Sequence, residues 1–126
     1  MKQVWIVDDD DDMAHAVKLM LKLLDCEARH FLHPRLAATL LLDGQQPDLM
    51  VLDINMPEVT GIMMLEFVRR RPEWNDLPII MLSSEAADTQ IEEAFSLGAD
   101  AYVTKPVSIE ELEVAIQTAF KNHGKM

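Results

Sequence analysis

The chain has 126 residues, enough for one domain with one sizeable core. Hydrophobic residues make up 49% and charged residues 26%, which argues against a disordered chain, and no apolar run approaches the roughly 20 residues of a membrane span. A net charge of −11, from 22 acidic and 11 basic residues, disfavours nucleic acid and anionic membranes as direct partners, because both need a basic face.

The opening Met1-Lys2-Gln3 leads straight into a strand over residues 4–7 and lacks the pattern of a signal peptide, so a cytoplasmic location is expected. Asp8 and Asp9 end that strand. Asp10, Asp11 and Asp12 stand where acidic residues cap the open amides of a helix and match its dipole. Met13, Ala16, Val17, Met20, Leu21 and Leu24 then recur on one helical face. Residues 27–32 read as a short edge strand. Pro34 opens a second helix with Leu36, Ala37, Leu40 and Leu41 inward, and Gly44 closes it.

A third strand over 49–52 ends at Asp53, and a loop over 55–61 leads to a helix on Met64, Leu65 and Val68. Arg69-Arg70-Arg71 is the only basic cluster; it falls at that helix's end, where it suits the dipole rather than a binding patch. Pro72 and Pro78 bracket a turn before a fourth strand over 79–82, with Ser83 just beyond. The fourth helix carries Ala87, Ile91, Ala94 and Phe95 inward and ends at Gly98. A fifth strand over 101–104 precedes Lys105-Pro106. Ser108 with Glu111 forms a capping box for a last helix that turns Ile109, Leu112, Ile116 and Ala119 inward.

These are five βα units in one domain over 1–126. The third, fourth and fifth strands are near-continuous apolar runs, as expected when helices cover both sheet faces. Right-handed crossovers leave few topologies. The expected fold is α/β, a flavodoxin-like (βα)5 doubly wound parallel sheet of strand order 2-1-3-4-5, with strands 1 and 3 at the switch point. The carboxyl ends of the strands share one edge, so Asp8, Asp9, Asp53, Ser83 and Lys105 converge there.

Carboxylates held this close repel one another, and a hard cation relieves the repulsion. Mg2+ takes oxygen ligands and usually one or two carboxylates together with phosphate oxygens. Asp9 and Asp53 are expected as direct ligands, with Asp8 close by and the backbone carbonyl of Asn55 as a further oxygen. Asp53 can then act as a nucleophile toward phosphorus. Phosphoryl transfer needs positioning and charge neutralisation more than acid-base chemistry, and the Lys105 ammonium and the Ser83 hydroxyl each supply a partner for one phosphoryl oxygen. Cys26 has no CxxC partner and reads as a small buried hydrophobe. His15, His30, His33 and His123 show no metal-ligand spacing, and the nine methionines fall mostly at inward positions, as core packing.

Four segments together resemble a known family: Val7-Asp8-Asp9, Asp53-Ile54-Asn55-Met56-Pro57-Glu58-Val59-Thr60-Gly61, Ser83, and Tyr102-Val103-Thr104-Lys105-Pro106. They are similar to the receiver domain of a two-component response regulator, of the stand-alone chemotaxis kind, and the resemblance covers the whole chain. It implies that Asp53 is the phosphoacceptor and that a sensor histidine kinase or histidine phosphotransfer protein is the donor. It also implies a cis bond between Lys105 and Pro106 that aims the lysine at the phosphoryl group. Ser83 would swing toward that group while Tyr102 turns inward, altering the face of the fourth helix, fifth strand and fifth helix for an unknown downstream protein. Asn55 and Glu85 stand where the family tunes hydrolysis, which implies a short-lived phosphorylated state. Ser84, in place of a small apolar residue, and Val107, in place of phenylalanine, depart from the family pattern without removing an element of the chemistry.

Two other readings fit less well. A phosphatase of the haloacid dehalogenase type needs a second aspartate two residues after its nucleophile. Asn55 stands there and cannot exchange a proton, so the chain is expected to catalyse only its own phosphotransfer and dephosphorylation. A phosphorylation-independent interaction module on the same fold usually loses part of the acidic pocket or the lysine, and this chain keeps both. No output domain is expected within 1–126.

Overall fold

A computed structural model describes residues 1–125. The alternating sequence signals become β1 (Lys2–Val7), β2 (Cys26–Phe31), β3 (Leu49–Asp53), β4 (Ile79–Ser83) and β5 (Ala101–Thr104). They pair in parallel in the order β2-β1-β3-β4-β5, the order expected from the topology rules. The helices α1 (Asp11–Leu23), α2 (Pro34–Leu42), α3 (Gly61–Arg69), α4 (Asp88–Ser96) and α5 (Ile109–Asn122) follow the strands in turn. Among the described residues no helix is long and apolar enough to cross a membrane.

Every residue of β3 and β4 is buried, because helices cover both faces of the sheet. Side chains alternate between two core layers. Ile6, Val51, Leu82 and Val103 pack with Val17 and Leu21 of α1 and Leu112 and Ile116 of α5. Trp5, Val7, Met50, Leu52 and Met81 pack on the opposite face with Leu41 of α2 and Met64, Leu65 and Val68 of α3. Each such Leu, Ile or Val stabilises the fold by roughly 1.5–3 kcal/mol. A one-residue slip of β3 would exchange its two faces and carry Asp53 away from its neighbours, so the core packing fixes the register of the site.

The helix ends follow the sequence signals. Asp10 caps α1, its Oδ1 accepting from the amides of Asp12 (3.0 Å) and Met13 (3.2 Å). Thr60 caps α3 through the Met63 amide at 3.2 Å. Ser108 caps α5 through the Glu111 amide at 3.2 Å, while the Glu111 carboxylate accepts from the Ser108 hydroxyl at 2.9 Å rather than from its backbone. His33 caps α2, its Nδ1 accepting from the Arg35 amide at 3.1 Å. Gly98, at φ +107°, turns the chain out of α4 in a conformation that side chains disfavour.

Three inward assignments are corrected. Leu36 is 57% exposed: the buried stripe of α2 is Pro34, Ala37 and Leu41, and Leu36 lies about 100° around the helix from Ala37. Ala87 is the exposed N-cap of α4, and Phe95 is 45% exposed. Only Ala94 of this nine-residue helix is buried, so the 87-91-95 row lies to one side of the seam that meets the sheet. The arginine cluster also does more than face a dipole. Arg69 donates from Nε to the Gly98 carbonyl (2.9 Å), from Nη1 to the Trp74 carbonyl (3.1 Å) and from Nη2 to Asp100 Oδ2 (3.1 Å). The buried Asp100 carboxylate also accepts from the Ile79 amide at 2.8 Å and meets His123 Nε2 at 2.9 Å. This network ties α3, β4 and α5 together at the amino-terminal end of β4 and β5, away from the strand ends that carry the candidate site.

Candidate functional site

The carboxyl ends of β1, β3, β4 and β5 bring together the residues that the sequence singled out. Asp53 is the last residue of β3 and is 2% exposed; Asp8, just past β1, is fully buried, while Asp9 beside it is exposed. One carboxylate oxygen from each of the three lies within 4.8 Å of the others. From the far side of the site, Lys105 Nζ donates to Asp53 Oδ1 at 2.9 Å and stands 3.7 Å from Asp8 Oδ2. The lysine is placed by backbone continuity, because its amide donates to the Ser83 carbonyl at 2.8 Å and so extends the β4–β5 ladder. The peptide bond to Pro106 is cis, as the resemblance implied.

The charges are unevenly satisfied. Asp8 Oδ1 accepts from the Asp10 amide at 2.9 Å, whereas Oδ2 is buried without a hydrogen-bond partner. Burial pushes the Asp8 carboxyl up to about 6; the negative charges of Asp53 and Asp9 add to the rise, and the Asp10 amide and Lys105 oppose it. Burial alone would lower the Lys105 ammonium, but its hydrogen bond to Asp53 and the charges of Asp8 and Asp53 outweigh this and hold it above the ordinary lysine value. The site therefore has one cation for three carboxylates and an orphaned buried oxygen. An all-oxygen donor set with this surplus of negative charge fits a hard divalent cation.

Ser83 ends β4 and is fully buried. Its hydroxyl accepts from the Glu85 amide at 3.0 Å and from Asn55 Nδ2 at 3.4 Å. Those two contacts use its acceptor sites and leave its proton free for a ligand. Asn55 is exposed at the rim, and its amide also donates to Ser84 Oγ at 3.3 Å. The departure at Ser84 thus places a hydroxyl against Asn55. Glu85 contributes its backbone to the site: besides its amide, its carbonyl accepts from the Tyr102 hydroxyl at 2.8 Å. Half-buried Tyr102 on β5 is thereby linked to Ser83 through a single residue. The loop after Asp53 folds back tightly, with the Gly61 amide donating to the Ile54 carbonyl at 3.1 Å. A Cβ on Gly61 would overlap the Asp53 carbonyl oxygen and lie 2.9 Å from Ile54 Cα, so glycine is required there by space.

One contact carried no sequence signal. His30, near the end of β2, lies with Nε2 2.7 Å from the Asp8 carbonyl oxygen. Of the residues set aside, Cys26 is buried, and burial together with the Asp25 charge pushes its thiol up, which suits a packing role.

A model of the response regulator receiver domain matches residues 4–117. The chemotaxis protein CheY of Pseudomonas aeruginosa is 33% identical over 119 residues, covering 94% of this chain and 96% of that protein. Protein RcaC of Microchaete diplosiphon is 34% identical over 110 residues, which are 87% of this chain but 17% of that protein. The chain also spans only 53% of a phosphate regulon regulator, PhoB of Rhizobium meliloti, so several of its relatives are much longer proteins. A putative response regulator from Chloroflexus aurantiacus superposes with a TM-score of 0.87 at 28% identity, covering 95% of this chain and 98% of that one. Fold, site and relatives agree: the chain belongs to the response regulator receiver domain family, the phosphoacceptor modules of two-component signalling.

Proposed function

We propose that this receiver accepts a phosphoryl group on Asp53 from a sensor histidine kinase or a histidine phosphotransfer protein, in a Mg2+-dependent reaction, and later loses it by self-catalysed hydrolysis. The observation that carries this reading is the buried Asp53 carboxylate, held by Lys105 on Oδ1 at 2.9 Å beside two further carboxylates. No hydrogen bond among the described residues engages its Oδ2. Asp8, Asp9 and Asp53, with the Asn55 carbonyl, would hold the cation; the orphaned Asp8 Oδ2 supports this fit. When bound, Mg2+ offsets the carboxylate charge and that of the transferring phosphoryl oxygens.

The free Asp53 oxygen attacks phosphorus and forms a P–O bond. The P–N bond of the donor phosphohistidine, protonated on its other ring nitrogen, breaks with its electron pair staying on the ring, so the donor leaves as a neutral imidazole. The Lys105 ammonium neutralises one phosphoryl oxygen, and the unused proton of Ser83 is donated to another. As Ser83 turns toward the phosphoryl group it draws on the Glu85 amide, and the Glu85 carbonyl carries that shift to the Tyr102 hydroxyl. The α4–β5–α5 face, where Phe95, Tyr102 and Val114 line one groove, is then biased toward an arrangement that a downstream protein reads. Asn55 and Glu85 at the rim would orient the hydrolytic water and shorten the lifetime of the phosphorylated state. The chemistry acts only on the receiver itself.

Intact-mass spectrometry after incubation with acetyl phosphate tests the reading. The expected result is a gain of one phosphoryl group that requires Mg2+ and is lost in Asp53→Asn. No gain from either acetyl phosphate or a phosphorylated histidine phosphotransfer protein would leave a phosphorylation-independent interaction module as the better account.

A further inference from the structure

We infer that His30 is a positioning residue for the cation site: it holds the Asp8 backbone from behind and so fixes where the Asp8 and Asp9 carboxylates point. The inference rests on the cation reading given above and assigns a role to a side chain outside the acidic cluster.

The argument begins with strand periodicity. Cys26 and Ala28 of β2 pack into the core layer beneath α1, and His30 continues the same face two residues further on. There the apolar layer ends and the turn from β1 into α1 begins. His30 pairs in register with Ile6, two residues before Asp8. Its ring, with the side chain 17% exposed, reaches the Asp8 carbonyl with Nε2 at 2.7 Å. A carbonyl oxygen only accepts, so Nε2 carries a proton in this contact, and the other ring nitrogen lies 3.5 Å from Asp11 Oδ1.

The neighbouring amide is held as well, since Asp8 N–H donates to the Phe31 carbonyl at 3.1 Å. Both backbone groups of Asp8 are therefore anchored to the end of β2, one by the ladder and one by the imidazole. With the peptide plane after Asp8 fixed, Asp9 leaves the strand in one direction and the Asp10 amide reaches Asp8 Oδ1 at 2.9 Å. The three carboxylates are brought within 4.8 Å of one another against their mutual repulsion, so a loosened turn would let them spread. Groups behind a metal's direct ligands commonly set its affinity in this way. The histidine makes no contact with the three clustered carboxylates; its effect runs through the Asp8 peptide.

The test is a Mg2+ titration by isothermal calorimetry at one fixed pH, without phosphodonor, on the full chain as wild type, His30→Ala and His30→Gln. Glutamine places an N–H donor at about the reach of Nε2. Loss of one backbone-anchoring hydrogen bond is expected to weaken Mg2+ about three- to tenfold in His30→Ala, with most of the affinity restored in His30→Gln. Melting temperatures of the three Mg2+-free proteins, taken in parallel, separate positioning from simple stability. Wild-type affinity in His30→Ala, or His30→Gln as weak as His30→Ala, overturns the inference while leaving the cation reading intact. A wild-type chain that binds no Mg2+ overturns both.

Discussion

Asp8→Asn is predicted to stabilise the Mg2+-free protein near neutral pH while removing most of its response to Mg2+. The Asp8 carboxyl is fully buried, its Oδ2 has no hydrogen-bond partner, and the nearest cation, Lys105 Nζ, is 3.7 Å away. Burial first, and then the charges of Asp53 and Asp9, raise it from the ordinary 3.8 to about 6. That rise corresponds to about 3 kcal/mol against the ionised form in the fold relative to the unfolded chain. Because the folded value lies above the unfolded one, the stabilising form is the protonated one. Its contribution is complete below about pH 4 and is lost as pH rises through about 6. Asparagine is neutral throughout and keeps an oxygen for the Asp10 amide, now at 2.9 Å. The variant is therefore expected to exceed wild type by about 2–3 kcal/mol near pH 7.5, with the gap closing toward about pH 4. Urea denaturation in EDTA, followed by the fluorescence of Trp5 and Trp74, measures this gap at each pH. Saturating Mg2+ should stabilise wild type far more than the variant. A variant no more stable than wild type near neutrality, or a gap unchanged across pH, would refute the electrostatic account.

Gly61→Ala places a methyl group against the Asp53 carbonyl and should cost about 1–3 kcal/mol in urea while slowing phosphorylation from acetyl phosphate; unchanged values for both would show that the loop adjusts freely. Arg69→Ala leaves the Asp100 carboxylate buried without its guanidinium and should cost about 3–5 kcal/mol, whereas a loss below about 1 kcal/mol would mean that His123 and the Ile79 amide suffice. Asn55→Ala should slow loss of the phosphoryl group about three- to tenfold in a time course of intact mass, and Glu85→Ala, which keeps the backbone contacts to Ser83 and Tyr102, should slow it through loss of the carboxylate alone; unchanged rates would remove both side chains from the hydrolytic step.

The strand ends were legible because each carries a chemically distinctive residue just after an apolar run, and the topology rules bring those ends to one edge. Asp8, Asp9, Asp53 and Lys105 come together there, while the Ser83 hydroxyl meets Asn55 and the Glu85 amide at the end of the neighbouring strand. The link from Tyr102 to Ser83 was legible only as a pair of residues. Its route through the Glu85 backbone was not, since a carbonyl acceptor has no sequence signature. The contact between His30 and the Asp8 carbonyl escaped for the same reason, being a side-chain-to-backbone contact across 22 residues. Arg69 read as one of three arginines suiting a helix dipole and His123 as a histidine without ligand spacing, yet both pack on Asp100 in one network because three elements end at the same place. Errors on helix faces came where the apolar pattern did not single out one face: α2 is apolar almost all round, and in α4 the apolar signal is thin. In α4 the row through Ala87, Ile91 and Phe95 mimics a buried stripe, while the small Ala94 makes the close approach.

The central claim is that Asp53 itself becomes the acyl phosphate. Borohydride reduction converts a phosphorylated aspartate to homoserine, so tandem mass spectrometry after treatment with acetyl phosphate and Mg2+ reads the modified position directly. The account predicts homoserine at position 53 and at no other aspartate. Homoserine at Asp8 or Asp9, or a phosphoryl group that resists borohydride on another residue type, would contradict it.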